Sequence, residues 1–568
     1  MRIRILSIAF ISLFSTLTFA QSFEWAAQQN GDGYGIAFET EIDSDGNVYA
    51  IGTFEGTVDF DPGPGTFPVT SQGVDDIYIE KLDPSGNLVW VKSIGGSSLD
   101  QAYSIEIDAN NDLFIAGYFR DTVDFDPGAG IENLYFQGDD PTNADIFILK
   151  LNDDGELIWV KSFGGDLDEN CFKIELDNEG NIYTTGVYEG TIDLDPGDAD
   201  ALFTALHDHA IFVQKLDTDG NFIWGKSIDA GPGNLSARGI AISDLGEVYL
   251  SIWFRVIIDA DPDGGEVLTN ANGDTDGMII KLNEDGGYIW DRHLGTVYQD
   301  LINQLVLNSA GDVYITGAFI GTMDFGFGVE TVERMSNGGN DIYVMKIMSN
   351  GDFGWVNTYG SEGKDEGWGI TLNSLGEVCV AGVFSNDVDF DESDEEHILE
   401  SKGNVDAFFL TLTEAGEFQT ALSYGGTDLE YAYSVTVDDD DQVYLTGLFL
   451  GTTDFNPDPS EIYNLTSGTN TDGYVLKLGG VLSIDASYDN RKLIAYPNPT
   501  SGVFNIDFEE NETNIDVKIY DLAGKIVLSK FYFDQRLIQL SLENIADGHY
   551  YAVVNTENIV ATISFVKH

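Results

Sequence analysis

The chain is poor in positive charge. Its 568 residues hold 26 lysines and arginines against 97 aspartates and glutamates, a formal net charge of −71. Nucleic acid and anionic membrane surfaces repel such a molecule, so neither is expected as a partner. Histidine is scarce too, at six residues, and no HExxH, GxSxG or zinc-spaced Cys/His set occurs. His207 and His209 read as a solvated loop pair. There are two cysteines, Cys171 and Cys379. They fall on different strands of different repeats, which argues for two small buried hydrophobes and against a disulfide. Beyond the first twenty residues no run is long and apolar enough to span a bilayer.

Those first twenty residues differ from the rest. Arg2 and Arg4 precede an apolar stretch from Ile5 to Phe14, and Ala20 closes the segment before Gln21. This is the pattern of a secretory signal peptide cleaved near Ala20. The expected location is therefore extracellular or at the cell surface, reached through the periplasm.

What is present in abundance is one repeated phrase. It stands as VYAIGTFEGTVDFDPG from Val48, LFIAGYFRDTVDFDPG from Leu113 and IYTTGVYEGTIDLDPG from Ile182, with degenerate copies from Val248, Val313, Val378 and Val443. Its marker acid recurs at Asp59, Asp124, Asp193, Asp259, Asp324, Asp389 and Asp454, in steps of 65, 69, 66, 65, 65 and 65 residues. A constant period of this length signals one supersecondary unit copied in series. Each unit reads as four short strands, A to D, with tight glycine turns between A and B and between C and D. Ser104–Asp108, Leu113–Phe119, Ile146–Leu151 and Leu157–Ser162 typify them. The chain opens with a D-type strand, Phe23–Gln28, and the last unit stops at a C strand, Tyr474–Leu478. The fold class expected is all-β: a seven-bladed β-propeller closed by the N-terminal strand. Six B strands carry Gly at one position (Gly52, Gly117, Gly186, Gly317, Gly382, Gly447), whereas the fourth has Ile252 followed by Trp253.

The phrase D-[AI]-[FY]-[VI]-x-K-L-[DN]-x-x-G, as at Asp76–Gly86 and Asp145–Gly155, resembles the SBBP-type propeller repeat of bacterial secreted proteins. The resemblance implies fold and is nearly silent on activity.

After Gly480 the repeat stops. Tyr496, Pro497, Asn498 and Pro499 open a last module, Gly524 and Lys525 end an IYDLAGK element, and Lys567 lies beside the C-terminus. Short alternating strands suggest a small Ig-like β-sandwich. The module resembles the type A sorting domain of the type IX secretion system of Bacteroidota. That resemblance implies a sorting signal made of these residues. It also implies three partners: the secretion translocon, an outer-membrane shuttle barrel and a sortase-like protease. The domain boundaries expected are 1–20 for the signal peptide, 21–480 for the propeller, 481–494 for a linker and 495–568 for the sorting domain.

Three acidic series fall on the face carrying the B–C links and the D-to-A crossovers. The first is an Asp-x-Asp pair: Asp59/Asp61, Asp124/Asp126, Asp193/Asp195, Asp259/Asp261 and Asp389/Asp391. The second precedes strand C: Asp76, Asp145, Asp276, Asp341, Asp406 and Asp472. The third precedes strand A and is expected to ring the mouth of the central channel: Asp100, Glu169, Asp300, Asp365 and Glu430. Clustered carboxylates suit Ca2+, the one cofactor considered, with the Asp-x-Asp pairs as ligands. Asp also caps backbone amides in turns, and recurrence in nearly every blade favours that structural role. One segment looks foreign. Glu132–Gly138, ENLYFQG, matches the recognition sequence of the TEV protease, and its blade is about four residues too long. An engineered insertion is the expectation.

These readings point to a non-enzymatic secreted propeller that binds a glycan or a protein. The alternative is a polysaccharide-active hydrolase or lyase using carboxylates at the channel mouth.

Overall fold

The computed structural model of the chain describes residues 21–479 apart from 139, 141, 234, 329 and 330. Further on it describes residues 494–496, 503–521, 526–542, 548–556 and 560–567. The expected signal peptide, nearly all of the linker, and Pro497, Asn498, Pro499, Gly524 and Lys525 lie outside the described residues. Every regular element among those described is a strand. The chain divides into two compact units, one of them Ala20–Gly480.

That unit is the seven-bladed propeller. Blade one has the order Gly35–Ile42, Val48–Phe54, Asp76–Leu82, Leu88–Ile94, from inner strand A to outer strand D. The other blades repeat it. In blade seven the order is Leu429–Val437, Val443–Leu450, Asp472–Leu478 and then Phe23–Gly31 from the start of the chain. Ala26 pairs with Leu476 and Gln28 with Tyr474, so the ring closes as expected. Gly479 N–H donates to the Ser22 carbonyl at the end of that clasp.

The B and C strands are buried along their whole length, because each blade is covered on both faces by its neighbours. Trp on strand D links successive blades. The Trp25, Trp90, Trp224, Trp290 and Trp355 indoles each donate to a carbonyl in the C–D turn of the next blade, at 3.0–3.4 Å.

The B-strand glycines have a local cause. A Cβ on Gly52 would stand 1.9 Å from the Ile36 carbonyl oxygen and 2.6 Å from the Tyr78 ring. The facing C-strand residue is aromatic wherever the glycine occurs: Tyr78, Phe147, Phe212, Tyr343, Phe408 and Tyr474. In blade four the facing residue is the slimmer Met278, and Ile252 fits against it.

Two expectations need correction. The unit is more than the four strands A to D, because the B–C link has structure of its own. In six blades it folds into an extra two-stranded ribbon, such as Thr57–Asp59 with Pro68–Thr70. In blade three the ribbon merges into the long strands Ile182–Asp193 and Leu202–Leu216. Ribbons reach back to the D strand of the preceding blade, as in Asn30↔Asp59 and Gly425↔Asp454.

The second correction concerns ENLYFQG. Asn133–Tyr135 is the returning strand of the blade-two ribbon, in the register of Pro68–Thr70, Leu268–Asn270 and Ile398–Glu400. Leu134 packs into the blade core. The marker Asp lies 11 residues before the end of this strand in both blades (Asp59 to Thr70, Asp124 to Tyr135). The four additional residues fall after Gly138 and before strand C at Asp145. The segment is a regular part of the repeat, not an insertion.

The C-terminal module contains a three-stranded sheet, Ile494–Tyr496, Val503–Glu512 and Gln535–Ser541. It also contains a four-stranded one, Ile526–Tyr532, Ile515–Asp521, Gly548–Asn555 and Val560–Lys567. Phe504, Ile506 and Leu540 from the first share a core with Val517, Ile519 and Ala552 from the second, as in a sandwich. Tyr496 ends its first strand, and Lys567 ends its last and is buried.

Candidate functional site

The tight-turn acids cap backbone amides. Asp43 Oδ1 accepts from the N–H groups of Asp45 and Asn47, and Gly46 supplies the positive φ of 79° that closes the turn.

The Asp-x-Asp pairs do similar work. Asp59 Oδ1 accepts from Asp61 N–H and from Phe67 N–H, drawing the ribbon loop shut. Asp124, Asp193 and Asp259 repeat this with Asp126 and Glu132, Asp195 and Ala201, and Asp261 and Val267. Asp61, Asp126 and Asp195 in turn accept from Gly63, Gly128 and Gly197, and Asp261 from Asp263. In blade five the second acid is replaced by Gly326, yet Asp324 makes the same two bonds, to Gly326 and Val332. Among the described residues, no three His, Cys, Asp or Glu side chains come together as a metal-holding group. The pairs are turn caps, and the Ca2+ assignment finds no cluster to rest on.

The second and third series meet between blades. Asp76 accepts from Gln72 and Gly73, and Asp341 and Asp406 accept from the matching amides of Asn337 and Lys402. Asp100 accepts from Gly96 and Arg120, Asp300 from Thr296 and Ile320, and Asp365 from Ser361 and Ser385. Glu169 accepts from Gly165, and Glu430 from the Thr453 hydroxyl. All five acids of the third series are at most 1% exposed. They do not ring the channel mouth. Asp100, Asp300, Asp365 and Glu430 turn into the protein and bond to the residues leading into or forming the ribbon, while Glu169 caps its own crossover, because the amides and hydroxyls there need acceptors. Burial pushes Asp100 and Asp300 up to about 6, Asp341 and Glu430 to about 7. Asp145 and Glu169 face each other at one such junction and rise to about 7 and about 9. Burial is the main cause, and for Glu169 the charge of Asp145 adds to it.

The channel is lined instead by residues that sequence reasoning missed. Every A strand carries a β-bulge, and in each the extra residue projects out of register. Those residues are Phe38, Tyr103, Phe172, Arg238, Asn303, Trp368 and Tyr433. They line one cavity of about 260 Å3 at the propeller axis. Five are aromatic and stack edge to edge around the axis. Trp368 lies 5.3 Å from Tyr433, Phe38 6.3 Å from Tyr433 and 5.0 Å from Tyr103, and Tyr103 5.4 Å from Phe172. The sequence held one signal for this ring: stepping from Phe38 by the repeat period lands on all seven.

Blades four and five break the aromatic pattern. The Arg238 guanidinium lies 4.2 Å from the Trp253 ring centroid and 5.4 Å from that of Phe172. Trp253 is held by its indole, which donates to the Ile302 carbonyl at 2.9 Å. Trp253, the residue after the one that departs from the glycine pattern, is thus a platform for Arg238.

Below the ring, toward the A–B turns, a second cavity of about 210 Å3 has one acidic wall: Glu39, Glu41, Glu106 and Glu175 around Lys173. Glu39 pairs with Lys173 and also accepts from Ile105 N–H. Burial, then repulsion from Glu39 and Glu175, pushes Glu41 up to about 8; Glu175 rises to about 7, again chiefly by burial. The opposite wall is mostly backbone and aliphatic, from Ile240, Leu305 and Ile370. His207 and His209 are not a loop pair: both lie on the strand Leu202–Leu216, where His209 pairs with Glu189 at 2.9 Å. Cys171 and Cys379 are both free and buried.

Fold and channel define a class: a seven-bladed β-propeller with an axial pocket, followed by a β-sandwich module. Residues 494–568 match the family model described as the secretion system C-terminal sorting domain. The chain carries that type IX sorting module, which addresses it to the type IX secretion machinery and to the cell surface or extracellular space.

Among curated proteins, the chain is similar to an uncharacterized WD repeat-containing protein of Acanthamoeba polyphaga mimivirus. They are 23% identical over 536 residues, covering 80% of this chain and 38% of that protein. It is also similar to the regulatory protein FlaEY of Caulobacter vibrioides, 23% identical over 189 residues, covering 31% of this chain and 19% of that one. The chain spans less than two-fifths of the length of either relative. Among solved structures, PorZ of Porphyromonas gingivalis, a surface component of the type IX secretion system, aligns with a TM-score of 0.25 and 10% identity. That alignment covers 95% of this chain and all of PorZ. The extracellular domain of a hybrid two-component system from B. thetaiotaomicron aligns at 0.18 and 12%, covering 94% and 97%.

Proposed function

We propose that the propeller is a non-enzymatic binding module that works outside the cell and takes its ligand at the aromatic ring of the central channel. One observation carries the reading. The seven bulge residues occupy equivalent places in the fold, yet two of them, Arg238 and Asn303, depart from the aromatic pattern on adjacent blades. Features copied in every blade serve the architecture. Features confined to one blade, and open to the channel, are where a specific ligand is recognised. Export fits the same picture. The signal peptide is removed near Ala20, and the C-terminal module is then passed to an outer-membrane shuttle barrel and trimmed by a sortase-like protease.

The test is retention on immobilised glycans and peptides, with product analysis alongside. Retention without cleavage, lost in Trp368→Ala, supports the proposal. Retention that Trp368→Ala leaves untouched places the ligand elsewhere and overturns it. A second reading rests on Glu41, Glu106 and Glu175. Carboxyls with raised pKa values facing one cavity suit a polysaccharide hydrolase or lyase. Turnover that Glu106→Gln abolishes would establish that reading in place of the first.

A further inference from the structure

We infer that the ligand of the channel is the end of a saccharide carrying a single carboxylate, with Arg238 as its anion-binding group. This ligand class rests on the binding-module reading above and names the chemistry of the same site.

Three polar groups at the channel lack partners. Asn303 is 6% exposed, and its Nδ2 donates to the Gly367 carbonyl at 2.7 Å. Its Oδ1 has no hydrogen-bond partner among the described residues. The indole Nε1 of Trp368 and the Nε of Arg238 are likewise buried and unmatched. All three side chains line the one 260 Å3 cavity. Buried polar atoms left unsatisfied cost free energy, and three around one cavity mark a site that a polar ligand completes.

Each unmatched group asks for something different. Trp368 offers a donor, Asn303 an acceptor, and Arg238 a planar cation. Hydroxyl groups donate and accept, so a polyhydroxylated ring answers both Trp368 and Asn303. The rings of Phe38, Tyr103, Tyr433 and Trp368 line the same cavity and give that sugar an apolar surface to pack on. A peptide terminus answers the Arg238 cation but has no comparable set of hydroxyls.

Charge narrows the class further. In a chain with 97 acidic residues and 26 basic ones, Arg238 has no carboxylate partner among the described residues. It is held on the Trp253 and Phe172 rings instead. A guanidinium kept free of carboxylates amid such an excess of them is poised for an external anion, which it meets with a two-pronged pair of hydrogen bonds. The overall charge of −71 repels a polyanion, so a single carboxylate is the form admitted. The cavity sits just below the roughly 300 Å3 at which pockets enclose drug-sized ligands. It takes the end of a chain, not its middle.

The experiment uses the full-length protein and titration calorimetry. The probes are disaccharides ending in glucuronic or galacturonic acid, beside the same disaccharides ending in glucose or galactose. The acidic member of each pair should bind about ten- to a hundredfold more tightly. Arg238→Gln should erase that preference, bringing the acidic member of each pair down to the affinity of its neutral partner. Arg238→Lys, which keeps the charge and loses the planar fork, should recover part of it, and unchanged thermal melts of both variants exclude misfolding. Neutral disaccharides bound as tightly as acidic ones, and released by Trp368→Ala, would overturn the acidic assignment and leave the binding-module reading intact. No binding by any probe, or binding indifferent to both Arg238→Gln and Trp368→Ala, overturns the assignment outright.

Discussion

The B-strand position shows how one residue choice depends on its neighbour. An added Cβ would meet the A-strand carbonyl oxygen first, at 1.9 Å for Gly52 and 2.0 Å for Gly117, and the facing aromatic ring adds to the crowding at Gly52; in blade four Ile252 faces the slimmer Met278. Two substitutions in opposite directions should therefore both destabilise. A methyl group at Gly117 would meet the Gln101 carbonyl oxygen at 2.0 Å and the Ala102 Cα at 2.8 Å. Gly117→Ala should cost about 1–3 kcal/mol by overpacking. Ile252→Gly removes a fully buried side chain and should cost about 2–5 kcal/mol by leaving a cavity. Denaturant midpoints measure both. The aspartates argue likewise. Asp324 keeps its two amide bonds although its neighbour is Gly326, so the ribbon needs the first acid of the pair and not the second.

Strands were legible where the chain obeys alternation, and illegible where it breaks it. The closing strand was read within a few residues of Phe23–Gly31, because Trp25 sits where most other D strands have Trp. The channel ring was not read, because a bulge inserts a residue that no two-residue period anticipates. The acids before strand A were misplaced for a related reason. Nearness to the innermost strand says nothing about which way a carboxylate turns, and the buried amides of Gly96 and Thr296 drew theirs inward.

The ENLYFQG segment gives a test at this scale. Its Gln137 N–H is held by Asp145, and its strand pairs with Thr122–Asp124. The native protein should resist the TEV protease under conditions that cut the same seven residues in an unstructured linker. Val123→Asp, which charges the buried partner of Leu134, should open the ribbon and speed cleavage, as read on a gel. Rapid cutting of the unmodified protein would contradict the ribbon assignment. Deleting residues 21–31 should expose the edge of Asp472–Leu478, and size-exclusion chromatography should then show self-association.

The whole molecule carries its buried carboxyls as a pH-dependent load. Asp100, Asp145, Glu169, Asp300, Asp341, Glu430 and Asp472 all have pKa values raised by burial, to between about 6 and about 9. A raised carboxyl binds its proton more tightly folded than unfolded. Its ionisation penalty is absent below the unfolded value of about 4 and grows as pH rises to the folded one. Stability should climb as pH falls from 9 toward 5, because each of these carboxyls takes up its proton in the folded chain first. The turn caps Asp83, Asp177 and Asp217 act the other way. Their hydrogen bonds lower their pKa values, and that stabilisation is lost below the ordinary carboxylate range. Thermal melts across pH should show a maximum in mildly acidic solution. Raising salt from about 0.05 to about 0.5 M should lift the whole curve, because it screens the self-repulsion of 97 acids.

The clasp that closes the ring has a mechanical consequence. Asp472–Leu478 is the last propeller strand before the C-terminal module, and it lies between two others, Val443–Leu450 and Phe23–Gly31. A pull on the tail along that strand would enter the propeller at a strand paired on both sides. It loads two ladders of hydrogen bonds in shear, all at once, where an edge strand would peel one bond at a time. A molecule held by its tail, with its ligand dragged by flow, would be gripped at a strand bonded on both sides.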